Sequence, residues 1–286
     1  MRVVVLGAAG QTGRVLAHLA RTRGWLVGAF AHDELDITDA VAVDRALTEL
    51  QPTHVLNAAA YNAVDAAEDD PDTARAVNAH APGDLARCAR RVGAAVVHFS
   101  TDYVFAGDRA APYTEDAIPN PQSVYARSKR AGEQAVLAEQ PDSFVLRTSW
   151  VFGPGGRCFA SRLLDLARAN AELRYVDDVW CCPTYAPDLA RVVYELIESQ
   201  APFGMYHAVG ARALTPYAWA RAILDAAGSP AVLRPVSRAD FPTRAIRPVR
   251  PILATDKLAA AGSHLPGGPE RLGAYLAGDI DVSPPA

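Results

Sequence analysis

The chain is short of the residues and runs that mark disulfide-rich, membrane-spanning or nucleic-acid-binding proteins. It has four cysteines in 286 residues, at positions 88, 158, 181 and 182. That spacing fits neither a zinc site nor a disulfide framework. The adjacent pair Cys181-Cys182 would form only a strained bond with each other. A reducing cytoplasm is the expected compartment, and no metal site is expected. No apolar run approaches the roughly 20 residues of a membrane-spanning helix, so no membrane association is expected. A strand pattern begins at residue 2, without the look of a signal peptide. Formal net charge is −4, with both signs spread along the chain and no basic stretch. A nucleic acid polymer is therefore not an expected partner. There is no internal repeat and no low-complexity linker. Half the residues are hydrophobic, enough for a sizeable core.

What is present is alternation. Strand-like runs recur near 2–6, 26–30, 54–57, 94–99 and 143–148. Helical patterns fall between them, near 12–22, 39–50, 72–91 and 124–139. This order predicts an α/β fold with a Rossmann-like, doubly wound parallel sheet. After residue 152 the pattern loosens, with helices expected near 157–169, 187–199 and 216–227 and short strands near 173–176 and 204–208. Proline and glycine become frequent beyond 229. These later segments predict a smaller C-terminal substrate-binding lobe over the carboxyl edge of the sheet.

Three motifs carry chemistry. Arg2-Val-Val-Val-Leu6 reads as a buried strand, and Gly7-Ala-Ala-Gly10-Gln11-Thr12-Gly13 leads from it into a helix. Such a turn lets backbone approach a pyrophosphate, whose charge meets the unpaired N–H groups of the helix. The glycine spacing differs from the common G-x-G-x-x-G. Next, Ser100-Thr101-Asp102-Tyr103-Val-Phe105 follows a strand, where ligands bind in open α/β sheets. Thr101 can give a hydroxyl hydrogen bond to a substrate carbonyl. Third, Tyr125-Ala-Arg-Ser-Lys129 sets a phenol and an ammonium on one helix face. The cation is expected to lower the Tyr125 pKa and make the phenol a better acid.

Together Gly7/Gly10/Gly13, Asn57-Ala58-Ala59-Ala60, Ser100–Phe105, Tyr125-x-x-x-Lys129 and Arg147-Thr-Ser-Trp150-Val-Phe152 resemble the extended short-chain dehydrogenases/reductases. Leu35-Asp36-Ile37-Thr-Asp39, Ala59–Asp65, Pro183–Ala190 and Arg247-Pro248 narrow the resemblance to the dTDP-4-dehydrorhamnose reductase family. It runs from residue 2 to about 258. It implies NAD(P)H-dependent reduction of a dTDP-4-keto-6-deoxy sugar, with Thr101, Tyr125 and Lys129 as catalytic residues. It also implies that Lys129 binds the nicotinamide ribose, that Asp36 and Ile37 flank the adenine, and that Trp150 packs on the sugar ring. By the same resemblance the segment near 184–209 rejoins residues 1–152 in the cofactor-binding domain. Residues 153–183 and 210–286 then form the lobe, and the protein is a monomer or homodimer.

Other assignments come from the residues themselves. Small side chains at Ala58, Ala59 and Ala60 would let the cofactor lie against backbone. Ala31 and His32 after the second strand would suit a 2′-phosphate and hence NADPH, whereas Asp33 holding a ribose hydroxyl would suit NADH. Asp102 and Tyr103 touch the sugar or orient the loop. Asn62 is a candidate cap for the next helix. Arg247 suits the nucleotide diphosphate, because guanidinium matches phosphate geometry. The chain departs from the family at Trp180-Cys181-Cys182, a segment expected to border the substrate, and at Pro251. It also has no carboxylate in Gly13-Arg14-Val15, where some relatives hold magnesium. A nucleotide-sugar epimerase remains an alternative, as does a non-catalytic, NADP-binding regulatory subunit of a methionine adenosyltransferase. Tyr103 stands where a dehydratase usually has Glu.

Overall fold

The computed structural model describes residues 1–280. In chain order the strands are β1 (Arg2–Leu6), β2 (Leu26–Phe30), β3 (His54–Asn57), β4 (Ala95–Thr101), β5 (Ser143–Thr148), β6 (Val151–Phe152), β7 (Glu172–Val176), β8 (Thr184–Tyr185), β9 (Gly204–His207) and β10 (Val232–Val236). The helices are α1 (Gln11–Thr22), α2 (Ala40–Leu50), α3 (Pro71–Arg75), α4 (Ala81–Arg91), α5 (Val124–Glu139), α6 (Phe159–Ala169), α7 (Ala186–Glu198), α8 (Pro216–Ala226), α9 (Asp256–Ala260) and α10 (Leu272–Ala277).

Six strands form one sheet in the order β2-β1-β3-β4-β5-β9, and every pairing is parallel. The chain leaves β1 for one side and returns to β3 on the other. That reversal opens a crevice at the carboxyl ends of β1 and β3, the usual ligand position in such sheets. The alternation of β1 shows why the run is apolar throughout. Val3 and Val5 pack with Leu16, Leu19, Leu189 and Val193 on the α1/α7 face. Val4 and Leu6 pack with Val43, Leu47, Leu85 and Val136 on the α2/α4/α5 face. Both faces are covered, so no position is left for a polar residue. Each such buried side chain contributes about 1.5–3 kcal/mol.

Side-chain caps fix where several helices begin. Asp39 accepts hydrogen bonds from the Val41 and Ala42 amides (3.1 and 2.9 Å), and Ser123 accepts from the Ala126 amide (3.2 Å). Helix α1 has no side-chain cap and no acidic residue in its first turn. Its amides are left for something else. Between α3 and α4 the backbone widens into one π turn over Ala76–His80. Gly132 of α5 lies against this turn, where a Cβ would come within 2.1 Å of the Asn78 carbonyl.

Beyond β5, residues of α6, α8, β7 and β10 gather around Phe152, Leu163, Trp219 and Ile223 in a separate apolar cluster. β7 and β10 pair in parallel as a two-stranded sheet. Among the described residues, no helix is long and apolar enough to cross a membrane.

Candidate active site

Two adjoining troughs run along the carboxyl edge of the sheet. One, of about 670 Å³, is lined by Gly7, Gly10, His32, Asp36 and Ile37 among others. The other, of about 620 Å³, is lined by Gly10, Gln11, Thr12, Thr101, Tyr125, Lys129 and Trp150 among others. Ala58, Ala59 and Ala60 border both and join them into one cleft.

The glycine turn is shaped by contact. Gly7 has φ +72°, and a Cβ there would lie 2.7 Å from the Ala59 amide nitrogen. Only glycine allows both that backbone and that approach. Gly13 is different: a Cβ would sit 2.2 Å from the Gly7 carbonyl oxygen. It lines neither trough, so it serves helix–turn packing rather than direct contact. The uncapped start of α1 therefore opens on the cleft beside Gly10, Gln11 and Thr12, a fit for an anionic phosphate group.

At the far end of the first trough, the Asp36 carboxylate accepts from the Thr38 amide and hydroxyl (2.9 and 2.8 Å). The amide bond holds Asp36 below its ordinary pKa. His32 has its side chain 83 % exposed and lies 3.8 Å from Asp36. His32 lines the trough and Asp33 does not.

The catalytic candidates converge. Helix α5 projects Tyr125, Lys129 and Glu133 from successive turns, and all three are buried. Lys129 Nζ donates to the Phe99 carbonyl (2.5 Å), which fixes it at the end of β4. Beneath it, Glu133 accepts from Ser100 Oγ (2.7 Å), Arg130 (2.7 Å) and both Nε and Nη2 of Arg147 (2.8 and 2.9 Å). This cluster ties α5 to β4 and β5.

The electrostatics correct one expectation. The ammonium does not dominate the phenol. Burial pushes the Tyr125 pKa up, the Thr101 hydroxyl pulls it part of the way back, and Asp102 and Tyr103 add to the rise. Burial also pushes Lys129 down to about 8, against the pull of Glu133. A phenol raised by burial keeps its proton in the resting site, so the shift expected from the ammonium is outweighed there.

The substrate candidates divide. Trp150 lines the cleft at φ +43°, a left-handed backbone that bulky residues rarely adopt. Its ring packs on Phe159, with centroids 5.0 Å apart. Asp102, Tyr103 and Arg247 line neither trough. Asp102 is 1 % exposed and accepts from Ser149 Oγ (2.6 Å) and Thr101 Oγ1 (3.1 Å). Tyr103 turns its ring edge to Tyr125, with centroids 6.2 Å apart. Arg247 is ion-paired to Asp65. Its guanidinium is engaged with Asp65 and the Tyr103 hydroxyl because the 243–250 segment folds onto the 61–69 loop, where Arg244 also pairs with Asp69. Trp180, Cys181 and Cys182 also stand outside both troughs. Trp180 stacks under Arg250, and Cys181 exchanges backbone hydrogen bonds with Leu214 (2.8 Å each). Asn62 lines the cleft and caps nothing; Asp70 caps α3 instead.

Some lining residues escaped the sequence reading. Asn57, Ser149, Gly155 and Arg157 all border the second trough. Asn57 and Ser149 lie inside the Asn57–Ala60 and Arg147–Phe152 motifs, and the Gly-Pro-Gly-Gly run at 153–156 is a visible loop signal. Among the described residues, no three His, Cys, Asp or Glu side chains converge as a metal site.

The RmlD substrate binding domain model matches residues 1–277. The chain belongs to that family. The RmlD-family relatives include a dTDP-4-dehydrorhamnose reductase of Mycolicibacterium smegmatis, 40 % identical over 91 % of this chain and 80 % of the relative. A probable dTDP-4,6-dihydroxy-2-methyloxan-3-one 4-ketoreductase of Streptomyces antibioticus is 40 % identical over 92 % of this chain and 90 % of its own length. The crystal structure of a dTDP-4-dehydrorhamnose reductase from Bacillus anthracis in complex with NADP superposes with TM-score 0.93 at 33 % identity, covering 96 % of this chain and 98 % of that one.

Proposed function

We propose that this protein reduces the 4-keto group of a dTDP-4-keto-6-deoxyhexose with NADPH, a step in deoxysugar biosynthesis of the dTDP-rhamnose type. The observation that carries the reading is the convergence of Thr101, Tyr125 and Lys129 on a cleft continuous with the glycine turn. The RmlD-family relatives that are reductases of dTDP-sugars support the same substrate class.

The residues fit the cofactor. Gly7 and Gly10, with the α1 amides at Gln11 and Thr12, would take the pyrophosphate. Ala58, Ala59 and Ala60 would lie along it, and Asp36 and Ile37 beside the adenine. His32, unlike Asp33, stands on the trough wall where a 2′-phosphate can accept a hydrogen bond from it. NADPH, when bound, supplies a hydride for the carbonyl carbon.

The chain's own groups manage the oxygen. Thr101 donates to the carbonyl oxygen as charge builds there. Tyr125 gives that oxygen its phenolic proton. The raised pKa does not obstruct this, because an alkoxide is a far stronger base than a phenolate and the transfer runs downhill. Burial also keeps Tyr125 protonated until that moment. Lys129, anchored on Phe99, would hold the cofactor ribose with its other donors. Trp150 would form a wall against the sugar. Residues 1–152 with about 184–209 act as the cofactor domain, and the remaining segments act as the substrate lobe. The working form is a cytoplasmic monomer or homodimer.

The test is direct. NADPH oxidation should depend on added dTDP-4-keto-6-deoxyhexose and yield the 4-hydroxy sugar. No oxidation, with isomerised sugar and a cofactor that stays bound through gel filtration, would favour an epimerase instead. Absence of both activities would favour a regulatory subunit.

A further inference from the structure

The protein neighbours of Thr101 take up every hydrogen bond its hydroxyl can make, which leaves none for a substrate. A hydroxyl has one proton to donate and two lone pairs to fill. Thr101 Oγ1 accepts from the Tyr103 amide (3.2 Å), which uses one lone pair. Asp102 Oδ1 lies 3.1 Å away, and the Tyr125 hydroxyl is a further hydrogen-bond partner. The reaction proposed above needs Thr101 to donate into the cleft. The same proton cannot also go to Asp102.

We propose that Asp102 is a positioning residue whose protonation decides which way the Thr101 hydroxyl points. The inference rests on the reductase reading of the site. With Asp102 ionised, both oxygens want donors. Ser149 supplies one at 2.6 Å and Thr101 supplies the other. The free lone pair of Thr101 then attracts the Tyr125 proton, and both donors turn away from substrate. With Asp102 protonated on Oδ1, the carboxyl donates to Thr101. Both lone pairs of Thr101 are then filled, by Asp102 and by the Tyr103 amide. Its proton is free for the carbonyl oxygen, and the Tyr125 proton is released as well.

The surroundings suit a carboxyl that changes state near neutrality. Asp102 is 1 % exposed, and among the described residues no cation is paired with it. Burial pushes it up to about 7, against the hydrogen bonds of Ser149 and Thr101 and of backbone amides. The titratable groups facing it are Tyr103 on its own turn, Tyr125 from α5, and Cys181 and Cys182 from the segment behind Ser149. Burial holds all four above their ordinary pKa values, so none charges in the range where Asp102 does. Ser149 is itself held by the Cys182 amide at 3.4 Å, which leaves its proton for Asp102.

The test compares kcat against pH for the native chain, Asp102→Asn and Ser149→Ala. The native kcat for ketone reduction should fall as pH rises through about 7, toward the roughly hundredfold loss typical of one missing oxyanion donor. A second fall near 8 belongs to Lys129. The side-chain amide that Asp102→Asn introduces donates to Thr101 at every pH, so this variant should lack the lower fall and keep the upper one. Ser149→Ala removes a bond to the ionised form and should move the lower fall to higher pH. An independent readout is the infrared band of the protonated Asp102 carboxyl in the protein without substrate. It should titrate near neutrality and vanish in Asp102→Asn. Superimposable native and Asp102→Asn profiles would overturn the proposal, as would a carboxyl that stays ionised from pH 5 to 8, a window set about the ordinary carboxylate and histidine ranges. The infrared result stands even if no keto sugar is reduced, so failure of the reductase reading is separable from failure of this one.

Discussion

Glu133→Gln tests the support under the site. The carboxylate is fully buried and bonded by Arg147 twice, by Arg130 and by Ser100. Arg147 is itself 2 % exposed in its side chain, and its remaining neighbours are the Phe105 ring and His207. Burial drives His207 down to about 4, so it stays neutral and gives no compensating charge. Gln fills the same volume, so no cavity term enters. Among the described residues Glu133 is the only carboxylate paired with Arg147, and the substitution removes that charge and turns an NH2 toward donors. Breaking a buried pair from one side costs about 3–5 kcal/mol. The exposed pair Arg168–Asp165 would cost at most about 1 kcal/mol, because water screens it. Denaturant unfolding at pH 7 should show the larger loss, a sizeable part of the roughly 5–15 kcal/mol of an ordinary domain. Replacing Glu133 and Arg147 together by Leu and Met should cost less than Glu133→Gln. Burial alone would raise the Glu133 pKa, but Arg147, Ser100 and Arg130 reverse this and hold it below the ordinary value. Its contribution is therefore complete above the unfolded carboxylate pKa and is lost as pH falls through the lower folded value. A Glu133→Gln loss under about 1 kcal/mol would refute the reasoning.

Further outcomes follow from the cleft. Gly7→Ala should abolish NADPH binding in a fluorescence titration, since its Cβ would enter the Ala59 backbone. Retention of native affinity would show that the turn relaxes freely. His32→Ala should raise the KM for NADPH while leaving that for NADH nearly unchanged. Equal changes for both cofactors would remove His32 from 2′-phosphate recognition.

Much of the architecture was legible because both faces of the sheet are covered. Runs such as Val3-Val-Val-Leu6 and Ala95-Val-Val97 can then be little other than interior strands. The first three strands stand where the apolar runs put them, and α5 begins at Ser123's cap. β10 escaped because Val232-Leu-Arg-Pro-Val236 carries a proline. It belongs to a two-stranded sheet, whose open side tolerates a residue without an N–H. The π turn at Ala76–His80 left no mark in the periodicity of the 72–91 pattern.

The site was legible where spacing alone decides placement. Tyr125 and Lys129 share a face, and the glycine turn meets Ala58–Ala60 across the switch point. What spacing could not give was the balance between burial and charge. Both partners of the Tyr–Lys pair are almost wholly enclosed, so desolvation is the largest influence on each. Nor could it show that Asp65, far away in sequence, would occupy Arg247, or that Ser149 and Thr101 would enclose Asp102.

The most direct measurement is single-turnover NADPH oxidation by the native chain and Tyr125→Phe, each saturated with a dTDP-4-keto-6-deoxyhexose. Cofactor binding should stay intact, and hydride transfer should be at least about a hundredfold slower in the variant, the scale of general acid catalysis. A variant within a few fold of native would contradict the assignment of Tyr125 as the proton donor.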